Sequence, residues 1–304
     1  MARTIGVIGI GHVGVTTSFN IVTKGLADTL VMIDTKPGWA EAERLDLQDS
    51  LGGLNTYTRI VANDYSLLRD ADVVIFSGGD ISVIKDGDRN SEIKTTKAAI
   101  DDAAPKLTTV GFHGVLIDIS NPCDVAVTYW QEKLDLHRNQ IIGTGTALDT
   151  YRMRRAVAEA MNVNVADVRG FNLGEHGESQ FTAWSTVRVN NEPVKASPDF
   201  KEKDLAEAAR LGGWQIFNAK HYTNFGIATI ACEMALAVMS DAGRIFPCSS
   251  YDPQYGVSIG HPTMIGRAGV ISNPPMHLTG DEVNQYAHSA DTIKENLAKL
   301  HALD

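Results

Sequence analysis

The sequence predicts an α/β fold: a Rossmann-type doubly wound parallel sheet over residues 1–145, followed by an α+β substrate domain over residues 146–304. Three observations carry that expectation. A strand-like run ends in Gly9-Ile10-Gly11-His12-Val13-Gly14 and opens a helix. Near-continuous apolar strands then alternate with helical segments through the first half, which is the pattern of a parallel sheet covered on both faces. After about residue 161 the rhythm changes to shorter strands and long helices.

In chain order, residues 4–9 read as a short apolar strand and 12–24 as the helix that the glycine turn opens. Residues 30–34 form a second strand, 39–51 a helix and 59–62 a third strand. The run DVVIFS, residues 72–77, is a buried strand, and 92–109 a long helix. Residues 115–120 and 140–143 complete the parallel set. Beyond it, 169–173 and 179–189 look like strands, with Asn190-Asn191 as a hairpin turn. Helices follow at about 202–219 and 226–241. Residues 245–279 are rich in Pro, Gly and short β-like pieces. Residues 281–302 form an amphipathic closing helix with Val283, Ala287, Ala290, Ile293, Leu297 and Leu300 on one stripe. There is no linker, repeat or low-complexity tract, so the two lobes are expected to pack together.

Composition narrows the function. The chain of 304 residues is long enough for a large core, and its 43% hydrophobic content is ordinary for a globular protein. The net charge of -10, with no long Lys/Arg run, argues against nucleic acid or an anionic membrane as partner. Cys123, Cys232 and Cys248 show no CxxC spacing and read as reduced thiols of a cytoplasmic protein. The nine histidines lack zinc-ligand spacing, so no metal is expected. No apolar run approaches the roughly 18 residues of a membrane helix. The N-terminal decapeptide imitates a signal peptide, but its glycine spacing favours a first strand.

The glycine turn has a physical reading. Gly9 permits the tight turn, Gly11 lets backbone approach a pyrophosphate, and Gly14 lets helix pack on sheet. The free N–H groups at the helix start then face the phosphates. Asp34, 20 residues beyond Gly14, can accept hydrogen bonds from a ribose and repel a 2′-phosphate, so NAD is expected over NADP. Lys36 nearby weakens that preference slightly. Gly78-Gly79, at a strand carboxyl end, would pass under the same cofactor.

The chemistry falls further on. LGEHGES, residues 173–179, sets His176 between glycines, where an imidazole can give a proton to a carbonyl or take it back. Asp149 is the carboxylate that would hold its tautomer. Arg152, three residues on and on the same helical face, offers a planar fork to a substrate carboxylate. Arg89 sits in a polar, glycine-containing loop that could close and bring a cation to the developing alkoxide. Asn121, after the fifth strand, can orient a carboxamide and substrate oxygens. Each alone has a bland reading: a structural histidine, a solvated arginine, a helix-start acid. Together they read as a hydride-transfer site for a small 2-keto acid.

With GxGxxG, the acid after the second strand, SNP, GTALDTYR and GEHG in this order, the chain resembles the lactate/malate dehydrogenase family over nearly its whole length. The resemblance implies that His176 is the proton donor and acceptor, Asp149 its partner, Arg152 the carboxylate anchor and Arg89 the lid arginine. It also implies that Thr223 and Ile227 line the pocket and the nicotinamide face, and that the protein is a homodimer or homotetramer. The malate enzymes of the family usually carry a second lid arginine. Here residues 80–85 read DISVIK, and the matching place falls among Ser82, Val83 and Ile84. Val83 and Ile84 suit an apolar side chain; Lys85 could still meet a dicarboxylate. Gly212-Gly213, inside a helical run, is either a break between two helices or a place where missing side chains widen the pocket. With MARTIGVIGIGHVG, GFHGVL and NLGEHGESQFTAWSTVRV, this pair is similar to the L-2-hydroxyisocaproate branch of the family. That likeness implies NAD-dependent reduction of branched or larger apolar 2-keto acids to L-2-hydroxy acids, with L-lactate dehydrogenase the alternative and malate dehydrogenase a more distant one. Arg154 and Arg169 fall where some bacterial lactate dehydrogenases bind a sugar bisphosphate. The apolar helix at 226–241 reads either as a subunit contact, together with 41–52, or equally as a core helix of a single chain.

Overall fold

The computed structural model describes residues 2–79, 92–197 and 200–303. Thr4–Ile8 (β1), Thr29–Ile33 (β2), Arg59–Ala62 (β3), Val73–Phe76 (β4), Val115–Asp118 (β5) and Ile141–Gly143 (β6) pair in parallel in the order β3-β2-β1-β4-β5-β6. The intervening helices are His12–Thr23 (α1), Trp39–Ser50 (α2), Glu92–Val110 (α3) and Cys123–Lys133 (α4). The chain reverses its direction of winding between β1 and β4, and the crevice beyond their carboxyl ends is where this fold binds ligands.

The apolar runs are explained by burial on both faces. Ile5, Val7, Val73 and Ile75 pack toward Ile21 and Val22 of α1, while Ile8, Val74 and Phe76 pack toward Ile100, Leu107 and Trp130 of α3 and α4. The second half begins with Ala147–Met161 (α5). Four two-residue strands follow: Val168–Arg169 (β7), Asn172–Leu173 (β8), Phe181–Thr182 (β9) and Arg188–Val189 (β10). The continuous strands expected at 169–173 and 179–189 are therefore broken. Gly170, at φ +118°, separates the first pair, and consecutive turn bonds over 182–187 separate the second. The Asn190-Asn191 turn forms as expected, with both residues at positive φ, and leads into Glu192–Pro193 (β11).

Glu202–Lys220 (α6) runs unbroken through Gly212-Gly213, and Phe225–Met239 (α7) follows. Where short β pieces were expected, the chain forms two long antiparallel strands, Arg244–Asp252 (β12) and Val257–Gly266 (β13), and a short third, Gly269–Ser272 (β14). Pro247 and Pro262 lie opposite each other, so their missing donors fall at one rung. Strand β12 joins β6 through Ser249 and Gly143, making one nine-stranded sheet. The closing helix, Gly280–His301 (α8), starts at a Thr279–Glu282 capping box and buries Tyr286, Ala290, Ile293 and Leu300; Val283 points outward. Helix α7 packs on α1 with Ile230, Ala231 and Met234 in the core of this chain and Ala228 fully buried. Its outward apolar residues are Phe225 and Leu236.

Candidate active site

Two glycine turns meet at the switch point. Gly9 takes φ +91°, and a Cβ there would lie 2.5 Å from the Ser77 carbonyl oxygen, so the turns after β1 and β4 touch. A Cβ on Gly14 would collide with the Gly9 carbonyl oxygen, and one on Gly78 with the Phe76 ring. Gly79 takes φ +142°. A Cβ on Gly11 would meet nothing within 4 Å, which leaves open room in front of the first turn of α1. Asp34, just past β2, accepts the Ile10 N–H at 2.7 Å and the Lys36 N–H at 2.8 Å. Trp39 donates its indole N–H to the Ile10 carbonyl at 2.7 Å, and the Lys36 ammonium sits 3.8 Å over its ring. The turn thus fits a dinucleotide on the grounds of open backbone, helix N-terminus and an adjacent carboxylate.

Helix α5 places Asp149 in its first turn and Arg152 one turn later. The buried Asp149 carboxylate takes His176 Nδ1 at 2.6 Å on one oxygen and Arg152 Nη1 at 3.0 Å on the other. His176 lies between β8 and β9, and its backbone N–H donates to Asp124 Oδ2 at 2.7 Å. Asp124 comes from the first turn of α4, three residues after Asn121. Burial pushes its carboxyl up to about 6 against the pull of its hydrogen bonds. Burial likewise pushes Asp118 at the end of β5 up to about 7, although Ser120 N, Ser120 Oγ and Trp130 Nε1 all donate to it.

His176, Arg152, Asn121, Thr223, Ile227 and Gly213 line one cleft. Gly213 does not open apolar space. A Cβ there would stand 3.1 Å from Arg152 Cζ and Nη1, so the missing side chain is the room the guanidinium occupies. Gly212 precedes it in the same helix. Arg89, Val83 and Ile84 lie outside the described residues, as does Lys85. Residues not singled out from the sequence also line the cleft: Val13, Glu92, Ile119, Leu148 and Phe217. Phe217 could have been found, being one helical turn beyond Gly213. Asp124 and Trp39 carry no periodic signal, because each acts on backbone distant in sequence. The segment between α6 and α7 is tied to α1: Tyr222 stacks on His12 at 3.8 Å between ring centres, and Asn224 donates to Thr16 Oγ1 at 2.9 Å. Elsewhere, Arg154 gives Nε and Nη2 to the Gly170 carbonyl, while Arg169 is exposed.

Residues 3–143 match the lactate/malate dehydrogenase NAD binding domain, and residues 146–303 match the lactate/malate dehydrogenase alpha/beta C-terminal domain. The L-lactate dehydrogenase 1 of Bifidobacterium longum subsp. longum is 34% identical, covering 97% of this chain and 96% of its own. Among solved structures, the Cryptosporidium parvum lactate dehydrogenase complexed with lactic acid and nicotinamide adenine dinucleotide superposes with a TM-score of 0.93 at 26% identity, over 99% of this chain and 98% of that one. The malate dehydrogenase of Salinibacter ruber gives 0.89 at 27%, over 99% and 98%. Fold, site and relatives define an NAD-dependent oxidoreductase acting on the CH–OH group of 2-hydroxy acids. The chain belongs to the lactate/malate dehydrogenase family.

Proposed function

We propose that this dehydrogenase interconverts L-2-hydroxy acids and 2-keto acids with branched or larger apolar side chains. The observation that carries the reading is the juxtaposition of the His176–Asp149–Arg152 cluster with apolar Ile119, Leu148, Phe217 and Ile227 in one cleft. Arg152, whose guanidinium lines the cleft beside His176, supports anchoring of the substrate carboxylate.

The assigned roles follow from the donors. Arg152 keeps one N–H on Asp149 and presents others to the substrate carboxylate. His176 Nε2 gives its proton to the C2 oxygen in reduction and takes it back in oxidation. Asp149 holds Nδ1–H and stabilises the imidazolium. Asn121 orients the reacting oxygen, and Arg89 enters with the lid. Bound NADH supplies the hydride to C2. Gly11 would leave it open room, Gly9, Gly14, Gly78 and Gly79 form the close turns beneath it, and Asp34 would accept its adenosine ribose hydroxyls.

We also assign residues 1–145 to cofactor binding and 146–304 to substrate binding. We place the protein in the cytoplasm, where its three buried free thiols suit a reducing medium. A homodimer or homotetramer is supported by exposed apolar Leu45 and Phe225. A second reading, L-lactate dehydrogenase proper, is favoured by the names of the relatives. Initial rates of NADH oxidation separate the two. A higher kcat/KM for 2-ketoisocaproate than for pyruvate supports the first, and the reverse order supports the second.

A further inference from the structure

We propose that Asp124 is a positioning residue for the reaction, fixing the backbone of His176 and placing a buried carboxylate beside its imidazole. This rests on the role of His176 proposed above.

The segment carrying His176 is not regular structure. Gly174 bridges to Gly260 of β13 at one end, and Ser179 is held by Glu175 and Ser289 at the other. Between these anchors, the N–H of His176 itself donates to Asp124 Oδ2 at 2.7 Å across 52 residues of sequence. Asp149 fixes the ring of His176, but a ring held only at Nδ1 can still swing with its backbone. Asp124 removes that freedom. It is 1% exposed and sits in the first turn of α4, where the helix N-terminus favours its ionised form. The cis Asn121-Pro122 turn that presents Asn121 to the cleft is continuous with it, so one short segment sets both the pocket amide and the back of the histidine.

A carboxylate here also acts on charge. The His176 charge lowers the affinity of Asp124 for its proton, so ionised Asp124 must reciprocally favour imidazolium. The other titratable groups around Asp124 are Glu175 on the histidine segment, Asp118 on β5, Cys123 beside it on α4, Cys248 on β12 and Tyr286 on α8. Burial pushes both thiols and the phenol upward, which keeps them neutral through the working range. His176 itself is faced by Asp149 at Nδ1 and by Asp124 at its backbone N–H, with Glu175 beside it in the segment and Arg152 as the cation on the far side of Asp149.

The test is the pH dependence of kcat/KM for the full chain and its D124N variant in both directions. Asn keeps an oxygen for the His176 N–H and removes the charge. Keto-acid reduction needs imidazolium, so its alkaline midpoint should move down by about half a pH unit or more. Hydroxy-acid oxidation needs neutral imidazole, so its acid midpoint should move down equally. The rate should fall about tenfold at the optimum, in kcat and not in KM. A structural lesion would lower rates in both directions without moving either midpoint, and that result overturns the proposal. So does a variant with wild-type profiles. If D124N does not fold, hydrogen exchange resolved at the His176 amide of the wild type decides instead. Protection that falls as the pH drops from about 7 to 5 supports the carboxylate contact, and constant protection overturns it. A wild-type enzyme that does not reduce any 2-keto acid would sink the proposed function rather than the contact.

Discussion

Replacing Gly213 by alanine separates two explanations of the glycine pair. Gly213 lies inside the continuous helix α6, where alanine should favour the helix by about 0.8–1 kcal/mol. The added Cβ would stand 3.1 Å from Cζ and Nη1 of Arg152 and 3.3 Å from Nη2. The guanidinium would have to yield by a few tenths of an ångström while tied to Asp149. Weakening one charge-assisted hydrogen bond to the substrate carboxylate costs about 1.5–3 kcal/mol, or roughly 10- to 150-fold in kcat/KM. Every 2-keto acid shares that carboxylate, so pyruvate and 2-ketoisocaproate should lose alike. Stopped-flow binding of NADH should be unchanged, and Tm unchanged or raised. If G213A instead loses only the larger substrates, the glycine widens a side-chain pocket and the assignment of that space to Arg152 is wrong. Wild-type kcat/KM on all substrates would refute both explanations.

Other consequences can be measured independently. H176Q or D149N should lower kcat by about 10²- to 10⁴-fold while NADH titrations stay near wild type, since general acid catalysis is worth that much; a loss confined to NADH affinity would contradict the roles given. D34A should weaken NADH binding by about 10- to 100-fold, because it removes a charged acceptor from the ribose and frees the Ile10 N–H, and should narrow the preference over NADPH; fluorescence titration with both reads this. Stability should rise on acidification from about pH 8 to pH 5.5. Asp118 and Asp124 have raised folded pKa values, so their contribution is full below the unfolded value and is lost as pH rises through about 6–7. Buried His261, its pKa lowered by desolvation, opposes this gain as pH falls through its unfolded value of 6.5, one histidine against two carboxylates, while Asp28, Glu41 and Glu233, held down by arginines, lose their contribution only below about pH 4. A Tm that falls steadily from pH 8 to 5.5 would contradict this balance.

The parallel half of the sheet was legible because strands buried on both faces need near-continuous apolar runs, and β1, β2, β4 and β5 have them, whereas the edge strand β3 does not. The turn residues were equally legible: Gly9 and Asn190-Asn191 adopt the positive φ their types permit. Strands β12 and β13 were obscured by proline, whose disruptive effect depends on what lies opposite, and pairing of Pro247 with Pro262 is a property of the fold. The Asp149–Arg152 pair could be read from a helical spacing of three. Its link to His176 became an expectation only through the order of motifs. Asp124 escaped notice because a side chain bonded to remote backbone leaves no pattern in either segment. Gly213 stands out in a helical run, but the group that fills its place, the Arg152 guanidinium, belongs to α5, and only the packed helices reveal it.

The central claim is that one carboxylate-anchored, proton-relaying site serves apolar 2-keto acids with NADH. The most direct measurement is kcat/KM for NADH oxidation with 2-ketoisocaproate, phenylpyruvate, pyruvate and oxaloacetate, run on the purified protein in parallel with H176Q. The expected order puts the larger apolar acids first and oxaloacetate last, with every activity collapsing in H176Q. Oxaloacetate as the preferred substrate, or H176Q turning over at the wild-type rate, would contradict it.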